Sequence, residues 1–139
     1  MKNNEVRIAP WEYVIIEDKK VVLYAVKAHD KLFVGKAKCG PHDEFDVEAG
    51  KAIAKMRAVL AQRRYDLMLT REFINTIKEV KSYAEFTNRG VSSPHYMRSI
   101  QAACEEEKAQ LAHIKDLVKR LEAYNAAPVD EDFQVDDLL

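Results

Sequence analysis

Arg57, Arg63, Arg64, Arg71, Arg89 and Arg98 are interleaved with Tyr65, Phe73, Tyr83, Phe86 and Tyr96. A guanidinium fork matches phosphate oxygens two at a time, and a ring or guanidinium plane stacks on a base. This pairing of residue types points to a nucleotide or a nucleic acid. Phe73 and Tyr83 read as core residues of a long helix. Phe86, Asn88, Arg89 and Arg98 instead gather around the stretch FTNRGVSSPHY, the clearest loop in the chain, and are the candidate ligand contacts. Backbone amides at Ser93-Pro94, the start of the last helix, offer a further anion site.

Other chemistries are less well supplied. A structural zinc site wants four ligands in paired spacing. Cys39, His42 and Asp43 form one cluster without a second, so no metal is expected. The pairs His29-Asp30 and His42-Asp43 read as turn and capping residues. Cys39 and Cys104 lie too far apart in the sequence to suggest a disulfide framework and read as free thiols, Cys104 as a small core residue. No nucleophile elbow, P-loop or dinucleotide fingerprint is present. The expectation is a binding protein with no catalytic residues and no cofactor.

Charge is unevenly distributed. The net value is −1, yet Asp130, Glu131, Asp132, Asp136 and Asp137 crowd the last residues. Without them, 22 basic residues face 18 acidic ones, a body of +4. Between Lys51 and Lys81 eight Lys/Arg stand against three acids, and such a surface attracts anions. A solvated helix face is the plainer account of the same pattern. No apolar run is long enough to span a membrane, and MKNNEVRIAPWEY lacks a secretory core, which predicts a cytoplasmic protein.

The elements that must hold these residues follow from periodicity. Residues 11–17, 20–28 and 31–39 are rich in β-branched and aromatic types, with turns at Asp18-Lys19 and His29-Asp30, and read as a three-stranded meander. Gly35 inside the third strand marks a bulge or a close approach. After Gly40-Pro41, Asp43 or Asp46 caps a helix whose apolar stripe runs through Ile53, Met56, Leu60, Leu67, Ile74, Ile77 and Ala84. Whether 46–87 forms one helix or two stays open. Ser93-Pro94 begins a final helix to about 124. Its positions Ile100, Cys104, Glu107, Leu111, Ile114, Val118 and Leu121 read as a coiled-coil seam. The expected fold class is α+β, a three-stranded antiparallel meander followed by two long antiparallel helices. A single domain spans 1–127, and 128–139 form an acidic tail expected to be disordered. So small a sheet cannot cover both helices, which predicts a helix-mediated homo-oligomer.

The segment FVGKAKCGPHDEFDVEAGKAIAKMRAVL, about a fifth of the chain, carries a G-x-A-K-C-x-P-x-D-x-F-D signature and resembles small bacteriophage proteins. With the two-helix C-terminus, the chain is similar to the phage anti-Thoeris sponge family. That resemblance implies a homo-oligomer in the host cytoplasm that sequesters a cyclic ADP-ribose signal without cleaving it, in pockets of arginine and a stacking aromatic. It adds Arg57 to the candidate ligand contacts. The rival expectations are a nucleic-acid-binding protein and an inhibitor of a host nucleic-acid enzyme, in which the acidic tail mimics nucleic acid.

Overall fold

Strand-forming residues dominate three short runs, and each is a strand in the computed structural model. The structure describes residues 8–40, 44–86, 94–124 and 126, with the backbone alone at 80–86 and 94–96. Strands β1 (Tyr13–Ile16), β2 (Val21–Ala28) and β3 (Lys31–Lys38) pair antiparallel in chain order. Two helices follow, α1 (Val47–Phe86) and α2 (Pro94–Ala123), giving the expected α+β class.

Turn chemistry sets the register. Asp18 and Lys19 are the central residues of a four-residue turn in which the Lys20 amide donates to the Glu17 carbonyl at 3.1 Å. His29 and Asp30 have φ of 54° and 58°, the positive pair that a type I′ hairpin turn requires. That turn pairs Ala28 with Lys31 and continues without a bulge to Val21 opposite Lys38. Asp46 caps α1, its Oδ1 accepting the Ala49 amide at 3.1 Å. The second helix begins at Pro94, the expected first helical position. Segment 47–86 is one helix, which closes the alternative left open above.

The chain divides into two compact units, residues 1–62 with 116–139, and residues 63–115. In the first, alternation along β2 puts Val22, Tyr24 and Val26 on the face that meets α1. Ala54 and Ala58 are fully buried against them, with Phe33, Phe45, Ile53 and Val59 around the edge. Small residues make this contact close. A Cβ at Gly35 would overlap the backbone of Ala54 and Ala58, and one at Gly50 would meet the Val22 side chain at 2.8 Å. Gly35 therefore marks a close approach, since the register around it is unbroken. Leu60, Leu117 and Leu121 are also buried in this unit.

In the second unit, α1 from residue 63 onward and α2 up to residue 115 come together. Leu67 and Ile74 are buried on one helix, Ala103 and Gln110 on the other, each pair seven residues apart. Arg71 Nε donates to Glu107 Oε2 at 2.9 Å and ties the helices together. The buried seam of α2 is Ala103, Gln110, Leu117 and Leu121; Leu121 belongs to the expected row, and the other three lie one position before it. Cys104, Leu111 and Val118 are only half-buried. The apolar stripe of α2 is wider than one seam, and small Ala103 allows closer packing than a larger neighbour would. Cys104 is accordingly not a core residue.

Candidate functional site

Within the helix-hairpin unit, a shallow groove of about 440 Å³ lies between the two helices. The α1 wall presents Leu69, Thr70 and Phe73, and the α2 wall presents Ser99, Ala102 and Glu106. Its size falls within the ~300–1,000 Å³ common for small-molecule sites. Phe73, expected in the core, is 52% exposed and turns its ring to the groove. Periodicity misplaced it because Ile74 next to it takes the buried position, leaving Phe73 one helical step off the seam.

Of the candidate contacts read from the sequence, Arg98 is exposed on α2, one turn before Ala102, and is not among the residues that line the groove. Arg57 belongs to the other unit, where its guanidinium donates to the Lys36 carbonyl at 2.7 Å and staples α1 to β3. Phe86, Asn88 and Arg89 lie outside the residues whose side chains are described, as do His42 and Asp43 of the rejected metal cluster. Three other basic residues of the cationic stretch have partners within the protein. Arg63 bonds Asp66 at 3.4 Å, Arg71 pairs with Glu107, and Lys51 pairs with Glu48 at 3.7 Å while lying 5.4 Å over the Tyr13 ring.

One polar side chain stands out beside the groove. Gln110 is 8% exposed, and its Nε2 donates to Glu106 Oε1 at 3.2 Å, while its own Oε1 is buried without a partner. That contact decides the amide orientation, since the flipped form would set two acceptors against each other. Among the described residues Glu106 is the one charged side chain lining the groove, and a buried amide holds it. Sequence reasoning missed both residues. The only cue was two polar side chains, at 106 and 110, beside the apolar positions of α2.

A smaller cavity of about 150 Å³ lies in the first unit, beside Cys39, Phe45, Asp46 and Ile53. The Cys39 thiol donates to the Glu44 carbonyl at 3.4 Å, and Asp46 occupies the helix N-terminus, so the wall is already saturated with acceptors. Neither cysteine is in a disulfide. Among the described residues no three His, Cys, Asp or Glu side chains are placed to hold a metal, and no helix is long and apolar enough to cross a membrane. The Tyr13 phenol stands above its ordinary 10.0, through burial and then through Tyr24 and Glu48. Its ring lies 4.5 Å from that of Tyr24, its cross-strand partner.

Comparison with protein-family models, with characterised proteins and with solved structures finds nothing that matches this chain.

Proposed function

We propose that this protein works by binding a small nucleotide in the hairpin groove. In the setting the sequence resemblance implies, it is a bacteriophage immune-evasion protein that sequesters a cyclic nucleotide signal of the cyclic ADP-ribose type without cleaving it. The observation carrying this reading is Phe73, a large ring 52% exposed on a groove of ligand size. Every base has a π-face, and stacking on a ring contributes about 1–3 kcal/mol per base. Arg98 supplies a cation beside the groove for the phosphates. Phe73 replaces Phe86 as the stacking residue in this account, and Arg57 serves as a structural clamp.

Sequestration acts by mass action, so the protein must be abundant and bind tightly; no residue needs to activate a nucleophile. Assembly into a homo-oligomer is part of the same proposal. The half-buried row Cys104, Leu111 and Val118 offers apolar surface for a second copy. The rival reading, a nucleic-acid binder or an inhibitor of a host nucleic-acid enzyme, draws on the cationic stretch. Arg57, Arg63 and Arg71 already bond within the protein there, which weakens it.

Calorimetry with cyclic ADP-ribose at micromolar concentration tests the proposal, with mass spectrometry of the recovered ligand. Saturable binding and intact ligand are expected, and Phe73→Ala should weaken binding at least about tenfold, as loss of one stacking contact does. Absence of heat, or conversion of the ligand, would sink it. A steep loss of affinity with salt would favour nucleic acid instead.

A further inference from the structure

We infer that Glu106 is the specificity residue of the groove, selecting a nucleobase by an amino N–H directed at its carboxylate, with Gln110 as the residue that positions it. The inference rests on the nucleotide reading above and goes beyond it by naming the edge of the ligand that is read. Three observations carry it. Among the described residues Glu106 is the single charged side chain on the groove wall, opposite the exposed ring of Phe73. Its Oε1 accepts from Gln110 Nε2 at 3.2 Å, which restrains a side chain that would otherwise sample many rotamers. Gln110 itself is buried, with an unpaired carbonyl oxygen, an arrangement unfavourable for folding and so in need of another reason.

The chemistry of a carboxylate decides the orientation of the ligand. An ionised Glu is acceptor-only, so it attracts N–H groups and repels phosphate. A phosphate group therefore cannot lie deep in this groove. The base enters with its N–H-bearing edge toward Glu106 and its face on Phe73, and the phosphates point out toward Arg98. The hydroxyls of Thr70 and Ser99 on the two walls can serve either donor or acceptor and do not impose a choice. Charge on the protein thus orders the ligand from end to end, an acid for the base and a base for the phosphates.

The test uses the full-length protein and two probes, adenosine 5′-monophosphate and purine riboside 5′-monophosphate, which lacks the amino group. Wild-type protein should prefer the adenine nucleotide about tenfold, the worth of one charge-assisted hydrogen bond in an open site. Glu106→Ala should erase the preference while still binding both probes, and Gln110→Leu should reduce it. Circular dichroism checks that each variant is folded, and exposed Glu106 is a site where truncation is tolerated. A preference that survives Glu106→Ala overturns the role of Glu106 and leaves the groove reading standing. Equal binding of both probes by the wild type does the same. No binding of either probe brings down both.

Discussion

Where α1 meets the sheet, Gly50, Ala54 and Ala58 present almost no side chain, and Gly35 answers them from β3. Where the same helix pairs with α2, Leu67 and Ile74 meet a seam that includes the buried amide of Gln110. The first contact leaves no room for a single added carbon. The second leaves a groove with a half-exposed ring on its wall. One helix thus takes part in two kinds of packing, and the difference follows from residue size along its row. Tight packing favours stability and excludes ligands; loose packing with polar side chains gives up stability and creates a surface that can recognise something.

The sharpest way to break this comparison is to add volume at the close contact. Gly35→Val should destabilise the protein by about 3 kcal/mol in urea unfolding, because neither backbone neighbour can yield. A loss below 1 kcal/mol would mean that the contact is looser than drawn here. At the other contact the sign should reverse. Gln110→Leu removes a buried unpaired carbonyl and should stabilise by about 1–2 kcal/mol, with less ligand discrimination. A destabilising effect would show that the amide has a partner.

Smaller effects sharpen the local account. Asp46→Ala removes the cap on α1 and should cost about 1 kcal/mol, read in the same unfolding assay. Tyr13 gives a pH signature confined to the sheet unit. Its folded pKa is raised, so the folded state keeps the proton longer than the unfolded chain. Stability should be untouched by this group below the ordinary 10.0 and should fall as pH rises beyond it. Absorbance titration should show the Tyr13 phenol ionising above its ordinary value, and Glu48→Gln should move it down slightly.

Much of the architecture was legible in advance because it depends on local chemistry. The β-branched runs, the two turns, the Asp46 cap and the Pro94 helix start each act within a few residues. Errors began where a partner had to be known. Along α2, Ala103, Gln110 and Leu117 are buried one position before the expected row while Leu121 is on it, since a wide apolar stripe does not say which of its rows is covered. Arg57 donates to the Lys36 carbonyl, a partner 21 positions away that the sequence does not mark. The expected site around Phe86, Asn88 and Arg89 falls outside the described side chains, and the groove at Phe73 was not anticipated at all.

What the order of residues determined unaided was the meander, its turns and the places where α1 and α2 begin. What only the tertiary structure decided was which neighbour each helix face meets: Phe73 outward beside Ile74 inward, Gln110 buried, and Glu106 held at a groove. Local conformation depends on a residue and its near neighbours in the chain. Exposure depends on what packs across the gap, and residues 36 positions apart, like Arg71 and Glu107, carry no mark of each other.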